Sequence, residues 1–370
     1  MSAQLFSSFK LGPFALSHRI AMAPLTRMRS TQPGDVPNDL MVDYYTQRAT
    51  KGGFILSEAT VVSPNGSGYL GSPGIFTDDQ VNGWKKIVES VHARGAVMFV
   101  QVFHVGRQSH ADLQPGGSNP VAPSAMDHGG VAFTRDGWVK ASPARALTEH
   151  EVDGMVEQFR LAAEGAKRAG FDGIEIHGAN GYLVDQFLQD GSNQRTDRFG
   201  GSIENRARFL LEVTRGAISV FGADRVGVRI GPSGTFGDMS DSNPAALFSY
   251  VAEELNKLGI AYIHVIEPRV KGNHVDETRD QAPVASRLVR QHFSRAIVAA
   301  GGFTPESAEA IVEEGAADIV AFGRFFISNP DLPYRIAHGH ALSGYDRDTF
   351  YGGTAAGYTD YPTFAETVSA

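Results

Sequence analysis

The sequence contains no cysteine. That excludes disulfides, thiolate metal sites and cysteine nucleophiles together. It also lacks any apolar run of ~18 residues, the length a membrane-spanning helix needs. Positive charge is in deficit: 33 Lys and Arg stand against 41 Asp and Glu, a net charge of −8. Nucleic-acid binders usually carry a basic domain and membrane-surface proteins a polybasic stretch, so neither partner is expected. The first residues, MSAQLFSSFK, lack the basic and apolar regions of a secretory signal, which makes a cytoplasmic enzyme the expectation. No G-x-S-x-G, Walker A or strand-borne G-x-G-x-x-G motif occurs, against triad hydrolases, P-loop enzymes and Rossmann folds. No His/Asp/Glu set has metal-ligand spacing; His104, His110 and His128 are scattered through one loop region, and no metal is expected.

Glycine, by contrast, is abundant at 42 of 370 residues. Without a collagen period, that excess implies many tight turns and close backbone approaches. Short apolar runs recur at 19–24, 53–58, 96–103, 173–177, 225–230, 262–267, 296–301 and 318–323. Helical stretches follow them at 39–49, 77–94, 148–169, 204–221, 245–258 and 305–314, with weaker patterns near 281–293 and 333–338. Thr77 with Gln80 and Thr148 with Glu151 resemble capping boxes, and Pro305 suits a first helical position. Strand then helix, eight times, with near-continuous apolar strands, predicts an α/β fold, a closed (β/α)8 TIM barrel.

One domain over 1–370 is expected. A plain barrel takes ~250 residues, so about 120 are surplus. They gather in four places: 1–18, read as a hairpin plugging the barrel bottom; 105–147, a lid after the third strand; 178–203, a loop after the fourth; and 340–370, a pocket-closing tail. Long loops after strands lie on the face where barrel enzymes keep their sites.

Period-two alternation orients the strands. Ile174 and Ile176 share the helix-facing side, as do Val226, Val228 and Ile230, which turns Glu175, His177 and Arg229 inward; Gln101 and Phe103 share a face. Such a polar interior is costly unless it is paired or serves a ligand. An ion pair between Glu175 and Arg229, orienting the arginine toward a ligand, is one reading. At the ends of the seventh and eighth strands, Ala300-Gly301-Gly302 and Gly323-Arg324 suit a phosphate, since glycine lets backbone N–H groups approach and arginine adds a clamp. After the fourth strand, His177 and Asn180 can donate to one substrate oxygen, and the Tyr182 phenol can deliver a proton. Any one of the three could be a packed barrel residue; together at a strand end they favour chemistry. The arginines between Arg195 and Arg208 read as an ion-paired loop.

These segments resemble the old yellow enzyme family of FMN-dependent ene-reductases, on the side of the pentaerythritol tetranitrate and N-ethylmaleimide reductases. The resemblance is carried by RIAMAPLTRMRS (19–30), QVFHVGRQSH (101–110), EIHGANGYLVDQFLQDGSNQRTDRFGGSIENRARF (175–209), VGVRIGP (226–232), AGGFT (300–304), AFGR (321–324) and YGGTAAGYTDYP (351–362). It implies FMN as cofactor and NADPH or NADH as hydride donor. Pro24, Leu25 and Thr26 would line the flavin, and Ala59 and Gln101 would face its pyrimidine ring. Arg229 would sit by N1, and Ala300, Gly301, Gly302, Gly323 and Arg324 would hold the ribityl phosphate. His177 and Asn180 would bind the substrate oxygen, Tyr182 would protonate the carbon beside the one that takes hydride from N5, and Phe103 and Tyr351 would be pocket walls. Many relatives carry Trp where Phe103 stands, which would widen this pocket; Thr26 and Asn180 match the branch without Cys and His at those places.

The implied substrates are small electrophilic alkenes (enones, nitroalkenes, maleimides), with nitrate esters or nitroaromatics besides, and the implied assembly is a monomer or weak homodimer. Two other readings compete. A phosphate-sugar barrel lyase or isomerase would use His177 and Tyr182 as acid and base but leaves Gln101 and Arg229 idle. A non-catalytic flavin-binding protein would have no need of Tyr182.

Overall fold

The computed structural model describes residues 4–268, 270–271, 274–275 and 285–369. The eight apolar runs form eight parallel strands, Ile20–Met22, Phe54–Val61, Val97–Phe103, Gly173–Gly178, Val226–Ile230, Tyr262–Ile266, Ala296–Ala300 and Ile319–Phe322. Each pairs with the next, and the eighth closes the barrel on the first. Helices follow at Asp39–Arg48, Asp78–Ala93, Glu149–Ala169, Ile203–Phe221, Pro244–Leu258, Ser286–His292 and Pro305–Glu313. The expected helix near 281–293 begins at Ser286; positions 281–284 lie outside the described residues. Thr77 and Thr148 form capping boxes with Gln80 and Glu151, fixing the starts of two long helices.

The antiparallel hairpin Phe9–Leu11 with Phe14–Leu16 sits where the strands begin. Leu11 and Leu16 pack there with Phe54, Phe99 and Tyr262. Those three rings meet edge-on or tilted, with centroids 5.2–6.0 Å apart, a dry floor inside the barrel. Gly227 makes this floor: a Cβ there would lie 2.1 Å from the Tyr262 ring. Above the floor the inward positions turn polar, with Gln101, Glu175 and His264 all buried. Above those lie His177 and Arg229, directly paired in register across the fourth and fifth strands. The barrel interior therefore grades from apolar at the bottom to charged at the mouth.

The excursion 105–147 carries a small hairpin, Val131–Thr134 with Gly137–Lys140. Its strands are too short to show a period in sequence. They stand because Phe133 exchanges backbone hydrogen bonds with 68–70, accepting from Leu70 N (2.8 Å) and donating to the Gly68 carbonyl (3.0 Å). Among the described residues no helix is long and apolar enough to cross a membrane.

Candidate active site

A cavity of about 680 Å³ opens at the C-terminal ends of the strands, within the usual size range of small-molecule sites. Except Ala59 and Phe103, every site residue singled out in the sequence lines it: Pro24, Leu25, Thr26, Gln101, His177, Asn180, Tyr182, Arg229, Ala300, Gly301, Gly302, Gly323, Arg324 and Tyr351. Ala59 and Phe103 belong to a buried cluster with Val61, Tyr69 and Tyr182. The expectation of Phe103 as a pocket wall is corrected. The Tyr182 ring lies edge-on over it at 5.2 Å and the His177 imidazole stacks at 6.3 Å. Phe103 therefore backs the two polar groups, and its size sets where they stand rather than how wide the cavity is.

The pairing of Glu175 with Arg229 is corrected too. Among the described residues they form no ion pair. Glu175 instead accepts from Gln101 Nε2 (2.7 Å), the Tyr262 hydroxyl (2.9 Å) and His264 Nδ1 (2.9 Å). Its two oxygens are spent on the neighbouring layer, one step below the arginine. Burial pushes this carboxyl up, but His264 and Arg229 outweigh it and hold it below the usual carboxylate range. Glu175 is thus a fixed negative charge that balances Arg229 without touching it.

That leaves polar atoms at the cavity with no protein partner. Arg229 Nε and His177 Nδ1 are buried and unbonded among the described residues, where an unmet polar group costs ~1–3 kcal/mol. Burial, then Arg229 and His264, drives the His177 imidazole well below its ordinary pKa, so it is neutral and can donate one N–H.

The segment Asn180–Tyr182 is clamped from three sides. Asn180 and Gly181 are both left-handed, with φ of 59° and 69°. Gln108 Nε2 donates to the carbonyls of Asn180 (2.9 Å) and Gly181 (2.7 Å), and Gln186 Nε2 donates to the Gly181 carbonyl (2.7 Å). The buried Asp185 carboxylate accepts from Gly181 N at 2.8 Å. A Cβ on Gly181 would lie 2.7 Å from the Phe236 carbonyl oxygen. Gly181→Ala is expected to cost at least ~1–2 kcal/mol from the left-handed backbone alone, and to displace Asn180 and Tyr182. Urea unfolding read beside enone turnover checks this; unchanged stability and turnover would show the clamp to be slack.

Tyr182 is buried, and its hydroxyl donates to the Tyr69 hydroxyl at 3.2 Å. Burial pushes its phenol up to about 12, against the lowering effect of Tyr69, so the proton is held at neutral pH. Tyr69 lines the cavity, as do Val131, Trp138 and Phe236; the sequence reading missed all four. The glycine-flanked Tyr69 in GSGYLGSPG (66–74), following a barrel strand, was the available signal.

The segment after the first strand holds the tail in place. Arg27 donates to the carbonyls of Phe350 (2.9 Å) and Gly357 (2.8 Å), and Arg29 to those of Thr354 and Thr349 (both 2.9 Å). This fixes Tyr351 at the cavity. The backbone N–H groups of Arg27 and Met28 donate in turn to Glu58. Burial raises that carboxyl from 4.5 to about 7, despite these bonds. The unfolded chain thus releases this proton before the folded one does, so stability falls as pH rises from 4.5 to about 7. The loss attributable to Glu58 is roughly 3 kcal/mol. Glu58→Gln should flatten that slope in melting temperatures taken from pH 5 to 8; an equal slope in both proteins would remove Glu58 as its source.

The arginines after Asn193 are structural. Arg195 pairs with Asp197, Arg198 with Glu149, and Arg206 with Asp241, clamping the loop outside the cavity.

The residues present fit a flavin nucleotide. At one end, Gly301 and Gly302, both with positive φ, and Gly323-Arg324 offer N–H groups and a cation to an anionic tail. Between lie apolar walls from Leu25, Ala300, Ala321 and Phe322. At the other end stand the unpartnered Arg229 and His177. This donor set suits a flat apolar body with a polar edge and a phosphate.

Comparison with known proteins agrees. The family model described as NADH:flavin oxidoreductase / NADH oxidase matches residues 4–343. A putative 12-oxophytodienoate reductase 11 of Oryza sativa subsp. japonica is 46% identical over 365 residues, covering 98% of each chain. The 12-oxophytodienoate reductase 2 of Arabidopsis thaliana is 43% identical, over 99% of this chain and 97% of its own. The solved structure of morphinone reductase superposes with a TM-score of 0.92 at 45% identity, over 98% of this chain and 97% of its own. Another, of morphinone reductase in complex with tetrahydroNAD, gives 0.90 at 46%, over 97% of both chains.

Proposed function

The chain belongs to the NADH:flavin oxidoreductase / NADH oxidase family, as an old yellow enzyme, and we propose how its residues divide the work of reducing an activated C=C bond. It is an NAD(P)H-dependent flavin oxidoreductase. The phosphate-sugar lyase reading falls with that membership.

Gly301, Gly302, Gly323 and Arg324 would hold the FMN phosphate, and Pro24, Leu25, Thr26, Gln101 and Arg229 the ring system. Bound there, FMN supplies the two-electron carrier that takes a hydride from the nicotinamide coenzyme and delivers it to the acceptor. Arg229, balanced at a distance by Glu175, would set a positive charge beside the ring system and so favour its reduced, more negative form. The neutral His177 and the Asn180 carboxamide donate to the acceptor's carbonyl or nitro oxygen and stabilise charge developing there. One such donor is typically worth ~3 kcal/mol. Tyr182 holds its proton at neutral pH and gives it to the carbon beside the one that receives hydride. Nitrate esters and nitroaromatics suit the same two oxygen donors without needing that proton.

The observation that carries the reading is that His177, Asn180, Tyr182 and Arg229, at the ends of the fourth and fifth strands, line one cavity with Gly301, Gly302 and Arg324, at the ends of the seventh and eighth. Anaerobic mixing tests it. The yellow holoenzyme should bleach with NADPH or NADH and recolour with 2-cyclohexenone. A colourless protein that takes up no FMN, or one that bleaches but does not recolour, would sink it.

A further inference from the structure

The two hydroxyls of Tyr182 and Tyr69 are each other's only hydrogen-bond partner among the described residues. Two hydroxyls share one bond and own two protons, so one proton is always left over. As the bond stands, Tyr182 donates to Tyr69 and its own proton is occupied. If Tyr69 donates, the proton of Tyr182 is free to point at a substrate. Tyr182 is sealed by Phe103 behind it and His177 beside it, with ring centroids at 5.2 and 5.0 Å. On the other side is Tyr69, at 6.1 Å. Tyr69 in turn packs edge-on against Trp138 at 5.8 Å, and Trp138 is 50% exposed. The row Tyr182, Tyr69, Trp138 therefore runs from the interior to the cavity mouth.

Resting on the role of Tyr182 given above, we propose that Tyr69 is the proton relay of Tyr182: the bond between them reverses, so that Tyr69 donates to the Tyr182 oxygen and returns to it the proton it loses. The steps balance. The Tyr182 O–H breaks as a C–H bond forms on the substrate. The Tyr69 O–H breaks as the Tyr182 O–H re-forms. The Tyr69 oxygen, on the cavity lining, then takes a proton from water in the cavity, so one solvent proton is consumed per hydride delivered and only protons move between the two tyrosines. A hydrogen bond from Tyr69 to the ionised Tyr182 favours its charged form, in line with the lowering that Tyr69 exerts against burial.

The test uses the holoenzyme and three variants, Tyr69→Phe, Tyr182→Phe and the double replacement, in separate half-reactions. Tyr69→Phe should slow reoxidation by 2-cyclohexenone by roughly 10-fold, below the ~10²–10⁴ typical of a full general acid, and leave flavin reduction by NADPH nearly unchanged. In the Tyr182→Phe background it should add nothing, because the two act as one unit. The Tyr182 ζ-carbon resonance of ¹³C-tyrosine-labelled enzyme, identified by its loss in Tyr182→Phe, should move in Tyr69→Phe. An unmoved resonance, equal slowing of both half-reactions, or a loss that adds to that of Tyr182→Phe would each overturn the proposal. If Tyr182→Phe slows enone reduction and Tyr69→Phe does not, only this inference fails; if neither does, the role of Tyr182 fails with it.

Discussion

Tyr182→Phe should slow the reduction of 2-cyclohexenone by about 10²–10⁴-fold, the range for removing a positioned general acid, and leave reduction of the flavin by NADPH almost untouched. The asymmetry follows from the geometry. The phenol stands on the cavity wall with its proton held by burial, so its loss removes a proton source and little volume. Its ring contacts with Phe103, His177 and Tyr69 do not depend on the hydroxyl, so the wall should keep its shape. Hydride delivery from the coenzyme needs no carbon acid. Stopped-flow measurement of each half-reaction checks this, and an equal loss in both would refute the proton-donor role. Reduction of a nitrate ester by the same variant should be much less impaired.

Glu175→Leu should destabilise the protein by about 3–5 kcal/mol, the usual cost of removing one member of a buried, hydrogen-bonded charge cluster. Glu175 is fully buried. Its loss strands the Gln101 amide, the Tyr262 hydroxyl and the His264 ring, and leaves the Arg229 charge without its balance. Urea unfolding with FMN in fixed excess measures the cost, since bound ligand adds to stability by mass action. A loss under ~1 kcal/mol would place the cluster among weak polar contacts. Glu175→Gln separates charge from shape. It keeps an oxygen for two of the donors but removes the negative charge, so it should lose flavin on dialysis faster than the parent protein. Equal retention would show that Arg229 needs no counter-charge.

Much of this was legible in sequence, for local reasons. The alternation in 173–177 and 225–230 sends Glu175, His177 and Arg229 inward whatever the rest of the chain does. Capping pairs such as Thr77 with Gln80 lie within one helical turn. The glycines at 301, 302 and 323 and the run from His177 to Tyr182 lie at strand ends, which is why they reach the cavity together. What misled was the step from direction to partner. Glu175 and Arg229 point into the same barrel, but the carboxylate faces Gln101 in register and meets Tyr262 and His264 from the sixth strand. Phe103 shares a face with Gln101, yet the loop after the fourth strand folds Tyr182 across it.

By itself the sequence determined the eight strand–helix units, the polar mouth of the barrel and the strand-end residues of the cavity, because those follow from period-two alternation, caps and strand ends. Only the tertiary structure decided which groups meet: Glu175 with His264, Tyr182 with Tyr69, Arg27 and Arg29 with the tail. Those partners come together by barrel closure and loop docking over separations of 89, 113 and more than 300 positions, and no local spacing encodes a contact of that range.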